Sequence, residues 1–166
     1  MLTFLNLEAE GFCSIESLHL QLNPTCTILI KAPNGKGKST ILSALVWAIY
    51  GKNLKGVSEV NTWKQVRPKD YKGTKVQVYF QKDSHTYKIV RCQKYDEVLE
   101  DGAKGKDRLI FMKDGDIVDI KGKGKIQDFI NREIGLSYTL FMNSIMFGQG
   151  IKRLIQESNS DKKKIF

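Results

Sequence analysis

The segment Ala32-Pro33-Asn34-Gly35-Lys36-Gly37-Lys38-Ser39 sets two glycines, a lysine and a hydroxyl side chain at a spacing that serves one chemistry, the holding of phosphate. It follows the pattern G-x-x-x-x-G-K-[ST] at every position but the first, where Ala32 stands for glycine. Gly35 and Gly37 let the backbone turn tightly and bring its N–H groups up to an anion with no Cβ in the way. Lys38 supplies a point charge that reaches the β- and γ-phosphates of a nucleotide. The Ser39 hydroxyl completes a Mg2+ shell otherwise made of phosphate oxygens and water, and Thr40 adds a contact to the α-phosphate. The expected nucleotide-binding set is therefore Asn34, Gly35, Lys36, Gly37, Lys38, Ser39 and Thr40.

Such a loop works only between a strand that delivers it and a helix whose positive end faces the phosphates. Both are predicted. Thr25 to Lys31 is a short apolar run of the kind a buried central strand needs, and from Lys38 to Tyr50 apolar residues recur at three- and four-residue steps until Gly51 stops the helix. Upstream, residues 3–9 and 17–22 alternate as half-buried strands around a turn at Gly11. Downstream, residues 51–73 read as an irregular surface excursion. Lys75–Gln81 and Thr86–Gln93 then form a hairpin around Asp83-Ser84-His85, and Asp107–Met112 and Asp116–Ile120 a second one turned by Lys113-Asp114-Gly115. Gly122-Lys123-Gly124-Lys125 lacks the Ser or Thr of a phosphate loop and is read as a flexible basic loop, with a DNA-phosphate contact as the other reading. A helix follows with Ile126, Phe129, Ile130 and Ile134, ended by Gly135. Ser137 opens another that carries Leu140, Phe141, Ile145 and Met146, and a last helical start lies at Ser158 or Ser160.

The 166 residues suffice for one domain with a proper core. The net charge of +9 is uneven: residues 1–60 carry +1 and residues 61–166 carry +8, an excess that favours polyanions. The longest apolar stretch, Ile41 to Tyr50, is too short for a bilayer span of about 20 residues, so no membrane association is expected. The N-terminus has no basic start and carries Glu8 and Glu10, unlike a secretory signal, which points to the cytoplasm. Cys13, Cys26 and Cys92 share no C-x-x-C spacing, and His19 and His85 lack partner ligands at metal-site spacing.

Taken in order, these blocks resemble the N-terminal half of the ATP-binding head of the SMC-like double-strand-break repair ATPases, which comprise the bacterial SbcC family, its Rad-type relatives and the phage recombination-endonuclease large subunits. GFCSIESLHLQL is similar to that family's opening, APNGKGKST to its P-loop and ILSALVWAIYGK to its first helix. IGLSYTLFMNSIMFGQGIKRLIQESNSDKKKIF is similar to its Q-loop segment and the lead into a coiled coil. Glu10 stands where that family has a basic residue.

The resemblance implies an α/β fold: a P-loop NTPase of the ABC/SMC head type, here its N-terminal lobe, with a mixed sheet, antiparallel strand pairs and flanking helices. Residues 1–157 would form the lobe and 158–166 the start of a helix leading to a coiled coil, in an N-terminal fragment of a larger protein. ATP and Mg2+ are the implied cofactors. Lys38 and Gln149 take the catalytic roles, with Ser39 and Gln149, through its amide oxygen, as metal ligands. The implied partners are DNA without sequence preference, a nuclease subunit of the metallophosphoesterase type, the C-terminal lobe of the same protein and a second head in a homodimer. The implied setting is a bacterial or phage-infected cytoplasm, or a nucleus if eukaryotic. Other classes that share these motifs are a chromosome-organising SMC tether, a transporter-type ATP-binding subunit and a non-enzymatic basic nucleic-acid-binding module.

Overall fold

The computed structural model describes residues 1–22, 27–60, 67 and 69–146. Alternating residues build strands β1 (Leu2–Phe12) and β2 (Ile15–Gln21), and the P-loop opens onto helix α1 (Lys38–Tyr50). Strands β3 (Thr74–Lys82), β4 (His85–Gln93), β5 (Tyr95–Val98), β6 (Lys104–Lys106), β7 (Leu109–Lys113) and β8 (Asp116–Ile117) follow, then helices α2 (Lys123–Ile134) and α3 (Tyr138–Ser144). Six strands form one sheet in the order β2-β1-β3-β4-β7-β8, and β5 pairs with β6 alone. All pairings among the described residues are antiparallel.

The period of two places Leu7 and Ala9 of β1, Val76, Val78 and Phe80 of β3, Tyr87 and Ile89 of β4, and Leu109 and Phe111 of β7 on one face. Helices cover that face. From Ala44 onward every residue of α1 is buried, and Ile130, Ile134 and Phe141 close the core from α2 and α3. Phe80 stacks on Tyr87 with ring centroids 4.9 Å apart. The opposite face carries a smaller apolar group, Val90, Cys92 and Ile110, roofed by Tyr95 and Leu99 of the β5–β6 segment. Strand β4 is thus buried on both sides along its second half.

Several expectations are corrected. The first hairpin turns at Cys13 and Ser14, since β1 runs on through Gly11 to Phe12. Gly11 is required for another reason: at φ +59 a Cβ there would lie 2.2 Å from the Gly73 carbonyl oxygen. The strand predicted over 25–31 does not form in its described part, because residues 27–31 pair with no neighbour and Leu29 is 72% exposed. The 51–73 segment is not merely a surface excursion, for Val60 is buried, its N–H donates to Gln93 Oε1 and its carbonyl accepts from Cys13 N–H. Helix α2 begins inside the KGKGK run, with Gly122 at its N-cap, so that run is only partly a loop. Ile145 caps α3 and is 44% exposed instead of packing on it. The proposed boundary at 157 and the helix opening at Ser158 or Ser160 lie outside the described residues.

Candidate functional site

The eight-residue loop meets α1 as its glycines allow. Gly35 has φ +78 and Gly37, the N-cap of α1, has φ +84, while Ala32 and Lys36 keep negative φ. The one departure from the loop pattern, Ala32, therefore falls where a side chain adds no backbone strain. The Gly37 carbonyl starts the helix by accepting from Thr40 N–H (2.9 Å) and Ile41 N–H (3.3 Å). No side chain caps this end, and no acidic residue occupies the first turn. The positive pole and its free N–H groups thus stay uncompensated, which favours an anion.

Lys38 is half-buried and donates to the carbonyls of Ala32 (2.6 Å) and Pro33 (3.0 Å), so its ammonium lies across the loop. Ser39 is exposed beside it and Thr40 is half-buried. Asn34, Gly35 and Lys36 are exposed at the loop's tip, where Lys36 N–H reaches Pro33 O at 3.4 Å. Residues 34–40 are brought together by the loop; Gln149 lies outside the described residues. Among the described residues no three His, Cys, Asp or Glu side chains gather around one point. A divalent ion held here would take ligands from the Ser39 hydroxyl, nucleotide oxygens and water, and the exposed hydroxyl in the first turn fits that role.

Two contributors were not anticipated. A Cβ on Gly37 would stand 3.1 Å from Ser14 Oγ, which places the β1–β2 turn against the loop. Arg91 of β4, only 5% exposed, reaches the other end of α1 and donates to the carbonyls of Ala48 (2.9 Å) and Ile49 (3.2 Å). Burial pulls its guanidinium down to about 10, which leaves it charged at neutral pH. The sequence holds a signal for it: the alternation Tyr87, Ile89, Arg91 puts a cation on the core face of a strand.

The antiparallel sheet, the covering helices and the phosphate loop at the head of α1 define the N-terminal lobe of an SMC-like ATPase head. Residues 6–166 match the family model described as AAA domain, and the chain belongs to that family. Among curated proteins it is 23% identical over 165 residues to the DNA double-strand break repair Rad50 ATPase of Methanopyrus kandleri, covering 96% of this chain and 17% of that protein. It is 29% identical over 161 residues to the probable DNA double-strand break repair Rad50 ATPase of Aquifex aeolicus, covering 96% of this chain and 16% of that one. The chain thus spans about a sixth of the length of these relatives. In fold it is similar to a chain solved in work on ATP-driven dimerization and DNA-stimulated activation of SMC ATPases. That match has a TM-score of 0.57 at 20% identity and covers 98% of this chain and 96% of the other. A second likeness, at TM-score 0.50 and 19% identity, is to the recombination mediator protein RecF with ATP, over 75% of this chain and 30% of that one.

Proposed function

We propose that this lobe binds the triphosphate of ATP, with Mg2+, as one part of an SMC-like ATPase that acts on DNA breaks. The observation that carries the reading is the glycine-hinged loop opening onto an uncapped, acid-free helix start with the Lys38 ammonium laid across it. Backbone N–H groups and Lys38 hold the phosphates, Ser39 serves the metal, and Gln149 answers to the γ-phosphate from the Q-loop position. Hydrolysis further needs a carboxylate to position water and donors on the γ-phosphate, which the family reading assigns to the C-terminal lobe and to a second head.

Residues 27–31 support a C-terminal lobe as partner. Ile28 (41% exposed) and Leu29 (72%) lie on a stretch that enters no ladder among the described residues, directly before the P-loop. A strand from such a lobe would pair with it and bury it. ATP would then join two such heads and hydrolysis release them, moving a nuclease partner on DNA in the cytoplasm or nucleus.

The test is calorimetric titration of Mg-ATP into the parent and Lys38→Ala chains. Loss of the charge facing the β- and γ-phosphates is expected to weaken binding by a few-fold or more. Equal affinities in the two would end the P-loop assignment.

A further inference from the structure

Helix α1 is tied at its far end to more than the sheet. The Arg91 side chain spans two elements: Nε and Nη2 donate to Ala48 and Ile49 of α1, and Nη2 also donates to Gln127 Oε1 of α2. Gln127 closes the triangle, because its Nε2 donates to Ile49 O (2.9 Å) and to Asn131 Oδ1 of its own helix (2.9 Å). Partners of Arg91 among the described residues are carbonyls, an amide and the face of Trp47, with its guanidinium carbon 5.8 Å from that ring's centroid. No carboxylate shares the contact in those bonds. A cation here is well placed against the negative end of the α1 dipole, and its flat fork reaches two carbonyls at once, a geometry lysine lacks.

Just beyond, α1 meets α3. Tyr50 OH donates to Leu136 O (2.9 Å), Tyr138 OH donates to Asn53 O (2.8 Å), and Tyr50 lies edge-on to Tyr138 and Phe141. The last turn of α1 is thus the junction of β4, α2 and α3, while its first turn carries Lys38 and Ser39 about 18 Å away along a rigid rod. We propose that Arg91, bridged by Gln127, is a positioning residue that couples the phosphate-binding helix to the α2–α3 pair, so that nucleotide held at the head of α1 steadies both helices. This rests on the nucleotide reading of the loop and extends it to the residues that carry its effect onward.

The experiment measures amide hydrogen exchange of the whole chain with and without Mg-ATP, alongside calorimetric affinity, in the parent, Arg91→Lys and Gln127→Leu. In the parent, nucleotide is expected to slow exchange both in residues 34–42 and across 123–144. In Gln127→Leu, which leaves Arg91 bonded to α1, affinity is expected to stay within about threefold. The slowing across 123–144 should be lost while that at 34–42 persists. Arg91→Lys, which lacks the fork to both α1 carbonyls, should likewise lose the slowing across 123–144. A merely structural role would raise exchange in α2 and α3 equally with and without nucleotide, leaving the difference intact, and that result overturns the proposal. It is overturned alone if the parent binds Mg-ATP without slowing 123–144, and together with the phosphate-site reading if the parent binds no nucleotide.

Discussion

The hydroxyl of Tyr50, last residue of α1, donates to the carbonyl of Leu136 across 2.9 Å and 86 residues of chain. It fastens α1 to the short link between α2 and α3. Tyr50 is 9% exposed, and burial raises its phenol well above the ordinary value, so the hydroxyl stays a donor at any working pH.

Tyr50→Phe keeps the ring packing on Tyr138 and Phe141 and removes only the donor. A part-buried carbonyl left without its partner costs about 1–2 kcal/mol. For a chain of this size the melting temperature should fall by roughly 2–6 °C, as read by thermal unfolding. An unchanged melting temperature would mean that water replaces the phenol at no cost.

Gly37 allows a sharper separation of stability from binding. At φ +84 an alanine is strained by about 1–2 kcal/mol whatever the space around it, and its Cβ would press on Ser14 Oγ. Gly56 has a similar φ of +76 with open space around it. Both alanine variants should lose comparable stability in urea titrations, while only Gly37→Ala should weaken Mg-ATP binding, by about tenfold for each 1.4 kcal/mol of lost contact. Equal affinity in the two would show that the loop tolerates a displaced backbone.

Where local chemistry decides structure, the sequence is readable. Helix α1 begins and ends at the residues its glycines indicate, since both Gly37 and Gly51 adopt the left-handed conformation that other residues avoid. The β3–β4 and β7–β8 hairpins follow from Asp83-Ser84 and Asp114-Gly115 for the same reason. The turn into α1 is legible for the same reason, because Gly35 and Gly37 supply the positive φ it needs. Strands β5 and β6 were not legible, being short and mostly polar, with their place over the sheet set by distant contacts such as Tyr95 with Val90 and Cys92 and Lys88 on Glu100. The run 25–31 has the composition of a central strand, but a strand needs neighbours, and within the described residues none stands beside 27–31. Composition cannot say which chain supplies them. The approach of Ser14 to Gly37 and the double anchoring by Arg91 arise only once the sheet has brought separate segments together.

Asp114 should set part of the acid sensitivity. Its carboxylate accepts from Thr86 N–H (2.8 Å), pairs with His85 Nδ1 (2.6 Å) and meets the Thr86 hydroxyl, and the backbone bond from Thr86 is the main cause of its depressed pKa. A carboxylate depressed on folding contributes stability that is present above its ordinary value of 3.8 and is lost as pH falls below it, toward the native value. Asp114→Asn suits the left-handed turn position at φ +51 and keeps an acceptor for Thr86. Urea midpoints between pH 3 and pH 6 should therefore fall less steeply with acid in the variant than in the parent. Parallel curves would assign the acid sensitivity to other carboxylates.

The start of α2 carries the last prediction. Lys121 and Lys125 are exposed on either side of the N-cap Gly122, and Lys123 opens a helix that has no acidic residue in its first turn and no side-chain cap. Cations at that end oppose the helix dipole and weaken the helix by a few tenths of a kcal/mol each, so a solvated face is a poor place for them. An anion at that end removes the conflict, since the free N–H groups of the first turn favour it as the positive charges do. With the +8 surplus of residues 61–166 behind them, these lysines should hold duplex DNA by its phosphates without reading bases. Each phosphate neutralised contributes about 0.9 to the slope of log affinity against log salt. Replacing Lys121, Lys123 and Lys125 together by Gln should lower that slope by roughly 2–3 and weaken binding alike on unrelated sequences. The measurement is fluorescence anisotropy of two labelled duplexes across a salt series. An unchanged slope, or a loss confined to one duplex, would remove this turn from the DNA-binding surface.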